Sequence, residues 1–302
     1  MAIKQRNESL ELKLLRALNL RMNLSVKDSS YYLNLEKGFE GEQNFDIWSE
    51  TLSNDWIIID DLLLEKNNTF FQIDTLLISH ETLFPLEIKN YDGDFYIDND
   101  KWFTRSGAEI KNPLLQLKRS ESLLRRLLQD LGFNFSIEPY LIFVNPEFYL
   151  YEAPLNLPII FPTQLKRFIE KLNMKKAKLN EKDSQLADRL LSLHVKSSPY
   201  KRVPDYTYAT LKKGIICKDC CSLHTDCKGQ ALIHCNECGH EEKLESAILR
   251  SIEELKLLFP DRKLTTNTVF EWCKIIKSKK TIRRILLKNF KIMGHGISSY
   301  YV

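Results

Sequence analysis

A chain of 302 residues is long enough for one to three packed domains. Its hydrophobic share of 43% is ordinary for a globular protein, and no apolar run reaches the roughly eighteen residues of a membrane helix, so a helical membrane protein is excluded. The net charge of +4 hides an asymmetry: from Lys196 onward 20 Lys and Arg face 11 Asp and Glu, while the rest of the chain is acidic on balance. A basic C-terminal third attached to an acidic body points to a polyanionic partner, and solubility alone is the rival explanation.

Residues 8 to 22 read as an amphipathic helix, with Leu10, Leu14, Leu15 and Leu18 at helical spacing. Charges mixed into Met1 to Leu20 leave no continuous apolar core for a secretory signal, so a cytoplasmic protein is expected. A second helix is expected from Leu35 to Leu52, with Phe39, Phe45, Trp48 and Leu52 inward. The period then changes. Trp56 to Leu64, Phe70 to Ser79 and Leu83 to Asn90 are short Ile- and Leu-rich runs punctuated at Asn67-Asn68 and His80-Glu81, the pattern of three consecutive strands. Asp92-Gly93-Asp94 suits a turn, followed by a strand at Phe95 to Ile97 and another around Trp102.

Asn112-Pro113 opens a helix to Leu131, because proline in the first turn gives up an N–H that would be unpaired there. Tyr140 to Val144 is a buried-type strand. Three prolines punctuate the irregular stretch that follows, and Lys-rich helices run from Thr163 to Leu193. Helices alternating with strands in this order predict an α/β (α+β) core. The expected division is an N-terminal helical segment (1–34), a core domain with a helical extension (35–195), a linker over Ser197 to Pro204, a cysteine module (205–243) and a basic helical domain (244–302).

Six of the seven cysteines lie between Cys217 and Cys238. Clustering of this kind, without an export signal, favours metal ligation in a reducing compartment over a disulfide framework. Cys217-x-x-Cys220 and Cys235-x-x-Cys238 form two knuckles separated by fourteen residues, the donor set of a closed, structural four-thiolate zinc site. Cys221, Cys227, His224, His234 and His240 are alternative ligands. The module resembles a zinc ribbon of the topoisomerase kind.

The tail from Lys274 to Lys291 holds eight Lys and Arg and no acid. Thr281 to Phe290 reads as a helix capped by Ser278, with Ile282, Ile285, Leu286 and Phe290 inward. Thr266 or Asn267 is the expected cap of a shorter helix containing Val269, Phe270 and Trp272, and Gly294 and Gly296 suit a β-wing. Together these resemble a helix-turn-helix in which Lys279, Lys280, Arg283, Arg284 and Lys288 meet phosphates. A solvated basic face on a packing helix is the rival.

The chemistry concentrates in one window. Asp74 interrupts the second strand, and Glu87 and Lys89, two apart on the third, share one face while Leu86 and Ile88 take the other. Carboxylates on adjacent strands suit a hard divalent cation such as Mg or Mn, and a neighbouring ammonium can stabilise charge developing at a phosphate. A lone Glu-x-Lys is common as a solvated pair; the aspartate on the neighbouring strand is what gives this one weight.

Gly38-Phe39-Glu40-Gly41-Glu42, Gln72-Ile73-Asp74, Glu87-Ile88-Lys89-Asn90 and Asn112-Pro113-Leu114-Leu115-Gln116 resemble, in order and spacing, the NERD (nuclease-related) domain of the PD-(D/E)xK superfamily. The resemblance spans residues 35 to 145. It implies a restriction-endonuclease-like mixed sheet flanked by helices, with Asp74 and Glu87 as metal ligands, Lys89 as catalytic lysine, Glu42 as an additional acidic residue and Gln116 as a supporting polar group. Gly38 and Gly41 would permit close helix packing. The implied activity is metal-dependent hydrolysis of DNA, with RNA as the other substrate. The rival is a nucleic-acid-binding or scaffold protein that keeps the fold without cleaving.

Overall fold

The computed structural model describes residues 2–53, 55–175, 178–196, 202–224, 232–296 and 299–302. It is a mixed α/β structure with eight α-helices among the described residues, and with sheets containing both parallel and antiparallel pairs. The chain divides into two compact units: residues 1–9 with 33–201, and residues 10–32 with 202–302.

The first unit is built on a sheet ordered β1 (Ile57–Lys66), β2 (Thr69–Ser79), β3 (Thr82–Lys89), β8 (Tyr140–Phe143), β10 (Ile159–Ile160), with β7 (Ser136–Ile137) beside the start of β3. The first three strands are antiparallel; β7, β8 and β10 add in parallel. Helices cover both faces, which is why these strands are apolar runs and not alternating ones. Ile57, Ile59, Leu76 and Ile78 pack with Leu124, Leu127 and Leu128 of α3 (Pro113–Asp130) and Leu186 and Leu190 of α5 (Glu181–Ser192). Ile58, Leu77, Phe84 and Leu86 face Phe45 of α2 (Val26–Ser49) and Phe168, Ile169 and Leu172 of α4 (Leu165–Met174). A second sheet, β6 (Glu109–Ile110), β5 (Lys101–Thr104), β4 (Gly93–Asp98), β9 (Phe148–Tyr151), closes one end over Trp102 and Phe143.

Three hairpins turn without glycine. Asn67-Asn68, His80-Glu81 and Asn99-Asp100 each place two successive residues at positive φ, the conformation of a type I′ turn. The second turn is clamped from outside: the fully buried carboxylate of Asp183 accepts the N–H groups of His80 (3.1 Å), Glu81 (2.8 Å) and Asn180 (2.9 Å).

The second helix starts at Val26, nine residues before the expected Leu35. Ser25 accepts the N–H of Asp28 (3.1 Å) and its hydroxyl donates to the Asp28 carboxylate (2.6 Å), a local capping device that begins the helix early. The segment 1–34 is not a separate body. Residues 1–9 join the first unit, and α1 (Leu10–Arg21) packs Ala17 and Leu18 into the core of the second, leaving Leu10 exposed.

In the second unit the core gathers α1, the cysteine module (β11, Ile215–Ile216; β12, Leu223–His224; β13, Leu232–His234; β14, Glu241–Lys243) and three helices: α6 (Leu244–Leu258), α7 (Thr266–Cys273) and α8 (Lys279–Asn289). The buried guanidinium of Arg21 bonds Glu254 (2.9 Å) and the carbonyl of Lys212 (2.7 Å), and lies over the Trp272 ring at 4.0 Å. α7 is capped by Thr265, not by Thr266 or Asn267, because Thr265 accepts the Thr268 N–H at 3.1 Å. α8 is capped by Ser278 and begins at Lys279. Most of the expected linker, residues 197–201, lies outside the described residues. No helix among those described is long and apolar enough to cross a membrane.

Candidate active site and metal centres

The ladder between β2 and β3 ends at Thr75 opposite Leu86. One step further the strands part, and the Asp74 carboxylate takes the N–H of Ile88 (2.8 Å) that a continuing ladder would have bonded. On its other edge β3 continues to pair, with β8, from Leu86 to Lys89. On the other side of β2 the ladder skips from Asp60–Thr75 to Leu62–Ile73, with Asp61 at φ 52. The parted strands open a cleft of about 690 Å³ lined by Glu42, Gln72, Asp74, Glu87, Lys89 and Gln116, among others. Four separate elements thus bring all five expected catalytic residues to one place: α2 carries Glu42, β2 Asp74, β3 Glu87 and Lys89, and α3 Gln116.

Within the cleft the Lys89 ammonium donates to Glu87 (2.5 Å) and to the Gln116 side-chain oxygen (3.3 Å). Burial, and then the nearby charge of Asp74, pushes the carboxyls of Glu42 and Glu87 up to about 8. Burial works against the charge on Lys89, but Glu87 and Asp74 outweigh it and raise its pKa. Crowded, desolvated oxygens that resist ionisation are a donor set that fits a hard divalent cation. The carboxylates line the cleft without closing a cage, which matches magnesium's habit of keeping waters and substrate oxygens in its shell.

Sequence reasoning missed Arg6. Its buried guanidinium donates to Glu42 (2.8 Å), to Asp46 (3.0 Å), to the Asp74 carbonyl (3.0 Å) and to the Thr75 hydroxyl (2.9 Å), with Asp60 at 3.8 Å. Burial opposes its charge, yet these carboxylates raise its pKa. A lone arginine in a polar N-terminal stretch carries no periodic signal, so only the fold exposes the role. Lys4 anchors the same segment, donating to the carbonyls of Asp60 (2.7 Å) and Asp61 (2.8 Å).

The two glycines of the first motif differ. A Cβ at Gly41 would stand 2.4 Å from the Cβ of Asn90, so Gly41 permits close packing of α2 on β3. A Cβ at Gly38 would meet nothing within 4 Å, so the packing expected there is not found, and Gly38 instead lines the cleft.

The sequence comparison bears on this same stretch. Residues 37–144 match the nuclease-related domain, NERD. The NERD segment contains the parted strands, the part of α2 that carries Glu42 and all of α3, while Arg6 lies before it. No curated protein and no solved structure matches the chain.

The cysteine module forms a second centre. The sulfurs of Cys217, Cys220, Cys235 and Cys238 lie within 4.8 Å of one another, with Cys217–Cys238 at 3.7 Å and Cys220–Cys235 at 3.5 Å. Tetrahedral bonds of about 2.3 Å place sulfurs roughly 3.8 Å apart, so the cluster can hold a metal such as zinc. The knuckles repeat each other: Cys217 N–H bonds the Ser222 carbonyl (2.8 Å) as Cys235 N–H bonds that of His240 (2.9 Å). Cys221 takes the positive-φ position (59°) that Gly239 takes in the second knuckle (76°), which leaves it exposed and outside the cluster. His240 faces Asp219 (2.8 Å) and His234 faces Glu241 (3.4 Å). Cys227 lies outside the described residues.

The five expected phosphate-contacting residues are all exposed on α8, but they are not equivalent. Lys288 pairs with Glu245 (2.8 Å), and Lys279 lies over the Phe270 ring at 5.4 Å.

Proposed function

We propose that the protein is a metal-dependent phosphodiesterase acting on nucleic acid, with DNA as the favoured substrate and the C-terminal modules supplying grip. The observation that supports this most is the convergence of Glu42, Asp74, Glu87, Lys89 and Gln116, from four elements, on a single cleft inside a nuclease-related segment. Asp74 and Glu87 would hold magnesium or manganese, which when bound lowers the pKa of a water and neutralises charge on the scissile phosphate. Lys89, steadied by Gln116, presents its ammonium to the phosphate oxygens, where charge grows as the water oxygen bonds to phosphorus and the ester oxygen leaves. Glu42, held by Arg6, supplies a further oxygen on the helical wall. The four cysteines would hold structural zinc.

The test is cleavage of single-stranded, double-stranded and branched DNA and RNA with magnesium or manganese, beside Glu87→Ala and Lys89→Ala. Cleavage by the parent, reduced by at least about a hundredfold in both variants and absent without added metal, is the expected result. Binding without cleavage, unchanged in both variants, would replace this reading with a non-cleaving protein on a nuclease fold.

The raised carboxyls give a second check. Glu42 and Glu87 release their protons near 8 in the metal-free fold, against about 4.3 in an unfolded chain. Their favourable contribution is therefore complete below the unfolded value and is lost as pH rises through 8. Magnesium binds the ionised form, so its stabilising effect runs the other way. The rise in unfolding temperature on adding magnesium should be larger near pH 9 than near pH 6. An equal rise at both would count against these two carboxyls as the ones the ion engages.

A further inference from the structure

The C-terminal part of the second unit has an architecture that the basic composition alone did not specify. After α6, Leu264 forms an antiparallel bridge with Tyr301; α7 and α8 follow, and β15 (Ile292–Met293) then pairs antiparallel with β16 (Tyr300–Tyr301). The Tyr301 N–H bonds the Leu264 carbonyl (2.8 Å), and Lys291 and Val302 exchange bonds of 2.9 and 3.0 Å. Three short extended segments therefore lie side by side next to a two-helix turn. Buried Ile275 and Ile276 fix that turn, which Lys274 enters at φ 54.

α8 packs through Ile282, Ile285 and Leu286, all buried against Trp272, Val269 and Ile252. The opposite stripe is Lys280, Arg283, Arg284 and Leu287, the i, i+3, i+4, i+7 set of a single helix face. Among the described residues Lys280, Arg283 and Arg284 form no salt bridge, although Arg284 lies near enough to Glu245 to help Lys288 hold its carboxyl below the usual range; Lys288 pairs with Glu245 and Lys279 lies over the Phe270 ring. From Lys274 to Lys291 there are eight basic residues and no acid.

We propose that α8 is a recognition helix that seats in the major groove of B-form duplex DNA through Lys280, Arg283, Arg284 and Leu287, with the β15–β16 hairpin against the flanking backbone. This deepens the grip proposed above and rests on that reading for its biological setting. Complementarity of charge selects a polyphosphate, and shape selects the duplex. A helix about 10–12 Å across fits a major groove about 12 Å wide. The major groove of A-form RNA is too deep and narrow to admit it. Leu287, 49% exposed in the middle of the basic stripe, is suited to a thymine methyl and has no use against a bare phosphate strand.

The experiment is fluorescence anisotropy of the full chain with a DNA duplex, an RNA duplex of the same sequence and each single strand, without added divalent metal so that nothing is cut. The parent should bind the DNA duplex at least about tenfold more tightly than the RNA duplex. Lys280→Ala/Arg283→Ala/Arg284→Ala should weaken DNA binding by about tenfold or more and reduce the slope of log affinity against log salt by about 3. Lys288→Ala should change it by less than about twofold, and unfolding temperatures should match the parent, since all four positions are exposed. Arg284→Glu serves as a charge-reversing variant with the same expectation of lost binding. Equal affinity for RNA duplex, or a triple variant that binds DNA like the parent, would overturn the proposal. Duplex binding without cleavage would count against the proposed function alone, and cleavage with the triple variant binding DNA like the parent would count against this groove contact alone, so the two failures are read separately.

Discussion

Arg6→Met should cost about 3–5 kcal/mol of stability and weaken metal binding in whatever protein still folds. Methionine keeps much of the length and removes the charge, which strands several carboxylates. Glu42 and Asp46 lose their direct partner, and Asp60, already pushed up to about 6 by burial and by Asp46, loses its nearest guanidinium. The Asp74 carbonyl and the Thr75 hydroxyl lose a donor at the point where β2 and β3 part. Denaturant unfolding measures the first effect and manganese titration followed by electron paramagnetic resonance the second. Arg6→Lys, which restores charge but not the forked geometry, should recover stability better than it recovers manganese affinity. If Arg6→Met unfolds like the parent and binds manganese like the parent, the buried guanidinium contributes nothing to either and its place behind the cleft has no functional weight.

Cys235→Ser should abolish the ordered cysteine module. Structural zinc in modules of this size contributes about 10–16 kcal/mol of apparent binding free energy, far more than a hydrophobic core this small can supply. Cys217 and Cys235 are the buried pair of the four, and each begins a knuckle whose backbone bonds close around it. Metal content by mass spectrometry should fall from one zinc per chain to a small fraction, and residues 215–224 and 232–243 should become sensitive to limited proteolysis. Cys221→Ser, at the positive-φ corner outside the cluster, should retain its zinc. Full zinc content in Cys235→Ser would mean that the ligand set is not these four sulfurs.

How much of this could be read beforehand depended on whether the information was local. The runs that became β1, β2 and β3 were legible because a sheet covered on both faces needs unbroken apolar strands. Asp74, Glu87 and Lys89 stood out because they break those runs with charge. β9 and β10 were not legible: both are short, lie among prolines, and exist only because β4 and β8 offer them an edge. The early start of α2 is set locally by Ser25 and Asp28, a capping signal that apolar spacing does not carry. Arg6 belongs to a different class. Nothing near it in sequence marks it, and its partners lie 36 to 69 positions away.

That separation bears on how far the site can be moved. A fragment cut to residues 37–144 would keep Glu42, Asp74, Glu87, Lys89 and Gln116. It would lose Arg6 and Lys4, which brace the carboxylates from behind, and Asp183, whose buried carboxylate ties down the β2–β3 turn. The five cleft residues can be transplanted by name, but the scaffold that positions them includes Lys4 and Arg6 and runs to α5. Grafting or truncation should therefore be drawn around that larger body, because inside the shorter one Glu42 and Asp46 would lose the guanidinium that offsets their charge.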